Sequence, residues 1–258
     1  MVVAQRFAYL DAPLPLAFAH RGGAAEGDEN SMAAFGRAVA AGYRYLETDV
    51  HATADGVVVV FHDDDLRRMF GRPGRVEDLR WADLASLREG GQTLLPRLSD
   101  VLEEWPEIRF NIDMKADSSV EPTVGVIADH NAHDRVLLAS FSDRRIRRAR
   151  ALCGPRQATS LGQRETAALR VASLHGVGRF GLASGAAAAQ VPVRYRGIRV
   201  VDRRFVRHAH RSGLQVHVWT IDRPAEMHDL LDLGVDGIMT DHIEALREVL
   251  TTRGQWAA

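Results

Sequence analysis

One cysteine, Cys153, is all the thiol chemistry in this chain of 258 residues. That excludes an internal disulfide and a cysteine-rich zinc site, and it is compatible with a reducing cytoplasm. No run approaches the ~18 consecutive apolar residues of a membrane span. The opening stretch, MVVAQRFAYLDAPLPLAF, lacks the basic start and uninterrupted apolar core of a secretory signal. Charge of one sign is also missing: the formal net charge is -1 and no long basic block exists. The densest basic cluster, Arg144, Arg145, Arg147, Arg148 and Arg150, falls on a predicted helix. A solvated helix face accounts for it better than a nucleic-acid surface does. No glycine-rich element ends in Gly-Lys-Ser/Thr, so a nucleotide phosphate loop is absent. Internal repeats, low-complexity tracts and interdomain linkers are absent too. These absences predict a soluble cytoplasmic protein with no nucleic-acid partner and no integral membrane segment; the sequence sets no oligomeric state.

What is present is an ordinary globular composition, 46% hydrophobic and 26% charged, with ample length to bury a core. Strands are predicted over 16–19, 45–50, 108–114, 135–141, 157–161, 190–195, 214–220 and 237–240. Helices are predicted over about 32–41, 99–104, 120–130, a segment ending near 152, then 165–174, 203–211, 224–233 and 243–251. Asn30 or Ser31 is the candidate cap of the first helix, Gly42 its terminator, and Pro224 sits in a first turn where proline is favoured. Asp55-Gly56 signals a turn into Val57–Phe61, a strand extension or hairpin that ends at His62. Residues 63–95 depart from the alternation, with one short helical patch near 83–88. The Ala/Gly-rich stretch 176–189 is read as a loop. Eight strands, each followed by a helix, predict parallel pairing with right-handed crossovers. Eight units close a (β/α)8 TIM barrel over residues 1–258 as a single domain, with a small insertion at about 63–95 after the second strand. An open doubly wound sheet is the alternative.

Residues two apart on a strand face the same side. Glu47 and Asp49 form one such pair, Asp113 and Lys115 a second, His217 and Trp219 a third. All three lie at C-terminal strand ends, where barrels of this type place their chemistry. Three converging carboxylates would repel one another and raise their own pKa values. A hard divalent cation, Ca²⁺ or Mg²⁺, resolves that repulsion with oxygen ligands, so Glu47, Asp49 and Asp113 are the candidate metal ligands. The histidines His20 and His62, each ending a short apolar run, suit proton transfer, and Arg21 and Lys115 suit holding an anionic oxygen. Trp219 offers an apolar wall, with core packing as the alternative. His51 is a candidate supporting group. His217 is as well explained by packing or hydrogen bonding, and His130 and His133 flank a helix end. His175, His208, His210, His228 and His242 are read as surface residues.

Two other signals fail on context. Gly176-Val177-Gly178-Arg179-Phe180-Gly181 matches the dinucleotide-binding glycine pattern in letters, but it follows a predicted helix instead of a strand. Asp63-Asp64-Asp65 starts like a calcium loop, but Arg67 and Arg68 stand where such a loop needs an acid or amide and then glycine.

With these residues assembled, the chain resembles the glycerophosphodiester phosphodiesterase family from Ala19 to about Leu246. His20-Arg21-Gly22 with Glu29-Asn30-Ser31 is similar to the family's opening signature. Glu47-Thr48-Asp49-Val50 followed by Val60-Phe61-His62-Asp63 is similar to its second block. Leu95-Pro96-Arg97-Leu98, Val218-Trp219-Thr220 and Gly237-Ile238-Met239-Thr240-Asp241 resemble later segments. The resemblance implies catalytic histidines at His20 and His62 and a cation held by Glu47, Asp49 and the third-strand acid. It also implies cleavage of glycerophosphodiesters to sn-glycerol 3-phosphate and an alcohol. Three departures stand out. Asp113-Met114-Lys115 replaces the family's glutamate-x-lysine, Asp222 replaces a common asparagine, and Leu66-Arg67-Arg68-Met69 replaces a hydroxyl-rich segment. A lysophospholipase D-type reaction, on substrates that keep one acyl chain, is the enzymatic alternative. It requires an apolar trough beside the barrel mouth. A phosphate-ligand-binding barrel that has lost catalysis is the non-enzymatic one.

Overall fold

In the computed structural model, residues 7–89, 92–93, 95–175 and 185–257 are described. Eight parallel strands form the main sheet: β1 (Leu16–Ala19), β2 (Tyr45–Ala52), β3 (Arg109–Met114), β4 (Val136–Ala139), β5 (Ala158–Thr159), β6 (Ala188–Pro192), β7 (Gln215–Trp219) and β8 (Gly237–Thr240). Their order is β5-β4-β3-β2-β1-β8-β7-β6. The two ends of that row meet: Leu161 N–H donates to Ala188 O at 2.9 Å and Ala187 N–H to Thr159 O at 2.8 Å, with Ser160 opposite Ala188. The result is a nearly closed (β/α)8 barrel, not an open doubly wound sheet. The helices are α1 (Met32–Ala40), α2 (Leu98–Glu104), α3 (Val120–Asp129), α4 (Asp143–Cys153), α5 (Gln163–His175), α6 (Arg203–Arg211), α7 (Pro224–Leu233) and α8 (Ile243–Thr252).

The interior explains where the charges go. Phe18, Tyr45, Leu137, Ala158 and Met239 pack in the barrel with Tyr9 and Leu10 of the N-terminal segment. The Phe18 and Tyr45 rings are 5.1 Å apart, and Tyr45 donates its hydroxyl proton to Tyr9 O at 2.7 Å. Apolar side chains thus occupy the N-terminal end of the strands, and the ionisable groups of β2 and β3 stand at the other. A second apolar layer joins the outer strand faces to the helices, including Phe35, Leu98, Phe110, Ile146, Phe205 and Leu246.

After β2 the chain turns back as a short antiparallel strand, Val58–Val60, paired with Val50–Ala52. The segment that follows packs on a separate small cluster made of Val59, Phe61, Leu66, Val76, Leu84 and Leu95. Its helices are Arg67–Phe70 and Trp81–Ala85, so the helical patch predicted near 83–88 starts earlier and ends earlier.

Three expectations need correction. The predicted loop 176–189 ends inside β6, which begins at Ala188, and the predicted end of that strand at Arg194-Tyr195 instead pairs with Ile198-Arg199 as a hairpin. Alanine has weak strand preference, but at the barrel seam Ala187, Ala188 and Ala189 are fully buried, and small side chains let neighbouring strands close. The glycine pattern from Gly176 to Gly181 lies outside the described residues. The fourth strand is shorter than predicted: Arg135 turns its guanidinium onto the Leu102 carbonyl at 2.7 Å, and Phe141 stands exposed beyond the strand end. The arginine-rich helix is α4. Arg144 and Arg145 pair with Asp117, Arg148 with Glu121, and Arg150 with Glu165, so these four side chains tie α4 to its neighbours.

Candidate active site

Immediately after β1 the chain makes a tight turn, His20–Gly22. Arg21 holds a positive φ of 51° and Gly22 one of 85°, a region L side chains rarely adopt. A Cβ on Gly22 would stand 2.9 Å from Ala34 Cβ and from Phe35 Cδ1 on α1. This turn presents His20 and Arg21 to the acids of β2. Arg21 N–H donates to Glu47 Oε2 at 3.1 Å, and its side chain lies 3.2 Å from Asp49 Oδ2 and 3.1 Å from Glu29 Oε1.

Asn30 fixes the same turn from the other side. It was a candidate helix cap, but the cap is Ser31, whose hydroxyl accepts from Ala34 N–H at 3.0 Å. Asn30 is instead buried, receives a bond from Thr48 Oγ1 at 2.8 Å and donates to Asp49 Oδ2 at 3.0 Å.

The register of β2 and β3 sets Asp49 beside Asp113. Lys115 sits across both, with Nζ 2.7 Å from Asp49 Oδ1 and 2.9 Å from Asp113 Oδ2. Burial works against the charge of Asp49, but Lys115 and Arg21 outweigh it and hold its pKa below the usual carboxylate range. For Lys115, burial is likewise outweighed by Asp113 and Asp49, and its pKa is raised. Glu47 is treated differently. Burial, then repulsion from Asp49, pushes its carboxyl up to about 7. Asp113 Oδ1 is buried without a hydrogen-bond partner among the described residues. The acids of this floor are therefore short of positive charge. No trio of acidic, histidine or cysteine side chains is gathered at metal-ligand spacing among the described residues, and Lys115 stands between Asp49 and Asp113. The donor set still suits a hard cation: one carboxylate oxygen is orphaned, and Glu47 keeps a charge deficit beside it.

Both candidate proton-transfer histidines are held through Nδ1. His20 Nδ1 lies 2.7 Å from Asp241 Oδ1, and its Nε2 is 3.7 Å from Glu47 Oε2. Burial opposes its charge, but Glu47 and the Asp241 bond outweigh that and raise its pKa. His62 Nδ1 lies 2.7 Å from Asp63 Oδ1, and Arg68 Nε in turn donates to Asp63 Oδ2 at 2.6 Å. Leu66–Met69, the segment that departs from the family pattern, thus supplies a guanidinium behind the His62 carboxylate. His51 is buried, and its Nε2 meets the His62 carbonyl at 3.3 Å, which holds the backbone at that position. Asp222 receives bonds from Thr240 Oγ1 at 3.0 Å and Asp241 N–H at 2.9 Å. That task needs only an acceptor, so an aspartate performs it as an asparagine would.

Asp241 and Asp63 are participants to which the sequence assigned no role in the site, and Asn30, expected as a helix cap, is a third. Asp241 lies 221 positions from the histidine it holds, and spacing alone does not reveal such a pair. Two histidines need correction or sharpening. His208, read as a surface residue, is buried on the inner face of α6. His217 packs 4.9 Å from the Phe18 ring, and burial lowers its pKa to about 4; it is a neutral core residue.

A cavity of about 770 Å³ opens over these groups at the C-terminal end of the strands, lined by His20, Arg21, Glu47, Asp49, His62, Asp113, Lys115 and Trp219. One wall is ionisable and the other apolar. On the apolar side Trp219 meets Phe141 edge-on at 5.6 Å, with Leu161, Val171 and Leu174 beside them. No described helix is long and apolar enough to cross a membrane.

The model of the glycerophosphoryl diester phosphodiesterase family matches residues 20–245 of this chain. The chain is 44% identical over 244 residues to a protein of Mycobacterium tuberculosis named probable glycerophosphodiester phosphodiesterase 2, covering 93% of this chain and 92% of that one. It is 42% identical over 114 residues to a lysophospholipase D of Rattus norvegicus, covering 39% of this chain and 36% of that one. Its fold is similar to that of an Oleispira antarctica phosphodiesterase solved in complex with the product sn-glycerol-3-phosphate, at a TM-score of 0.75 and 21% identity, covering 92% of this chain and 97% of that one.

Proposed function

Because this chain belongs to the glycerophosphoryl diester phosphodiesterase family, a family of phosphoric diester hydrolases, we propose that it cleaves glycerophosphodiesters to sn-glycerol 3-phosphate and an alcohol by acid–base catalysis between His20 and His62. One observation carries the reading. Two histidines, each fixed through Nδ1 by a carboxylate at 2.7 Å, line one cavity with a floor of acids, Lys115 and Arg21. Fixing Nδ1 in this way orients the ring and leaves Nε2 as its proton-transfer atom.

In the proposed reaction the diester enters with a non-bridging oxygen toward Arg21 and Lys115. Their charges stabilise the negative charge that develops on phosphorus-bound oxygen. One histidine removes the proton of the attacking hydroxyl, which on a glycerol diester is the neighbouring glycerol hydroxyl. The new P–O bond forms as the bond to the alcohol breaks, and the other histidine protonates the departing oxygen. Water then opens the cyclic phosphate through the same pair acting in reverse roles. Glu47, Asp49 and Asp113 would hold a divalent cation, Ca²⁺ or Mg²⁺, which when bound supplies Lewis-acid polarisation of a phosphoryl oxygen. The orphaned Asp113 oxygen and the raised Glu47 carboxyl support that assignment. Glycerophosphodiesters are the proposed small-molecule partners.

A second reading has its own observation. The apolar wall of Phe141, Leu161, Val171, Leu174 and Trp219 is the trough that a lysophospholipase D-type substrate would need. Incubating the protein with glycerophosphocholine, glycerophosphoethanolamine and a lysophospholipid, with Ca²⁺, Mg²⁺ or chelator, separates the readings. Turnover of the water-soluble diesters that stops in chelator is the expected result. Selective turnover of the lysolipid would shift the assignment to the second reading. Retained binding of glycerol phosphate without turnover of any diester would leave only a phosphate-binding barrel.

A further inference from the structure

The rim of the cavity carries a surface that the chemistry at its floor does not require. Seven large apolar side chains stand exposed among the described residues, and five of them, Phe141, Val171, Leu174, Tyr195 and Ile198, line this one cavity. Single exposed apolar residues are ordinary, but a contiguous group marks a surface that something covers.

The outermost part of this rim is the hairpin Arg194-Tyr195/Ile198-Arg199. Its turn residues Arg196 and Gly197 have φ values of 48° and 82°, positive at both central positions as a tight two-residue hairpin turn requires. Every residue from 194 to 199 is exposed, and Ile198, at 65%, is the most exposed large apolar residue described. Three arginines surround it. Arg194 donates to the Gly197 carbonyl at 3.3 Å and Arg199 to the Val201 carbonyl at 3.0 Å, while Arg196 lies 5.5 Å from the Tyr195 ring. No carboxylate pairs with any of the three among the described residues. Arg164, exposed at the start of α5, adds a fourth cation to the rim. The carboxylates lining the cavity, Glu47, Asp49 and Asp113, all lie at its floor.

We propose that this rim docks the protein on an anionic lipid surface. Ile198 enters the boundary between headgroups and acyl chains, and Arg194, Arg196 and Arg199 meet lipid phosphates. A cation-ringed apolar tip matches that surface in both polarity and charge. The exposed apolar side chains of the rim also line the same cavity as the ionisable floor. A protein partner or a second copy of this chain seated there would close the mouth, whereas a lipid surface leaves single molecules free to enter it. The purpose of docking rests on the diester-hydrolase reading, but its detection does not, because binding is read without turnover.

The experiment sediments the whole protein, in chelator, with sucrose-loaded vesicles of phosphatidylcholine alone or mixed with phosphatidylglycerol. Partitioning onto the mixed vesicles is expected, weakened at about 0.5 M salt, where exposed charges are screened over a few Å. Arg194→Glu/Arg196→Glu should reduce it by at least about tenfold, with hydrolysis of glycerophosphocholine unchanged. Ile198→Asp should reduce it as well. Equal partitioning onto both vesicle types, or undiminished binding by the double variant, overturns the proposal. So does a concentration-dependent dimer in sedimentation velocity that Ile198→Asp dissolves, which would assign the rim to a second copy. Vesicle binding without diester turnover would sink the catalytic reading and leave docking intact; turnover without vesicle binding would do the reverse.

Discussion

At the scale of single residues, the site is a set of charges that satisfy one another incompletely. Lys115 neutralises Asp49 and one oxygen of Asp113, while burial and Asp49 still hold the Glu47 carboxyl up to about 7 and the second Asp113 oxygen has no hydrogen-bond partner among the described residues. The eight side chains picked out by type and strand parity all line the same cavity, because alternation along a strand carries face information that survives into the fold. Their supporting partners were not legible in that way: Asp241 and Asn30 contact the site across sequence gaps that no spacing rule encodes. If His20 and His62 move protons in the rate-determining step, His20→Ala and His62→Ala should each lower kcat by roughly 10²–10⁴-fold. Circular dichroism and the thermal midpoint should stay near those of the parent. A variant with near-normal kcat would remove that histidine from the mechanism.

At the scale of elements, the turn between β1 and α1 is the tightest constraint on the site. The positive φ of Gly22 and the 2.9 Å approach of a hypothetical Cβ to both Ala34 and Phe35 act together. Gly22→Ala should therefore destabilise the protein by about 1–3 kcal/mol, seen as a lower urea midpoint at unchanged slope. Displacement of His20 and Arg21 should lower activity with it. A midpoint equal to that of the parent would show that the turn relaxes freely. Glycine in the opening signature was visible in the sequence, and so was the tight backbone it permits, but the atoms that exclude a Cβ come from α1. The β6 hairpin makes the converse point: Arg194-Tyr195 continued an apolar run on paper, yet the chain turns at Arg196-Gly197 and leaves the sheet.

At the scale of the whole molecule, the barrel separates an apolar end from an ionisable one, and His217 lies on the apolar side. It is fully buried, packed on Phe18 and bonded to Gln215 Oε1 at 2.9 Å. An unfolded histidine ionises near 6.5 and this one only near 4. Its contribution to stability is therefore intact above pH 6.5 and lost as pH falls toward 4, reaching about 3 kcal/mol by pH 4. His217→Gln should flatten that part of the pH dependence. Urea denaturation at pH 7 and pH 4 measures it, and an unchanged difference between parent and variant would exclude His217 as the titrating group.

The sequence by itself determined the alternation of eight strands and helices and, through its ordered motifs, the family to which the chain belongs. Hydrophobic period, a property of neighbouring residues, suffices for the first, and the order and spacing of short motifs for the second. Only the tertiary structure decided the rest. It alone closes the β5–β6 seam through buried alanines with weak strand preference, and it alone joins His20 to Asp241. It also inserts Lys115 between two carboxylates and gathers five exposed apolar side chains on one rim. Each of these depends on which strands become neighbours when the sheet closes, and that is fixed by the packing of the whole chain.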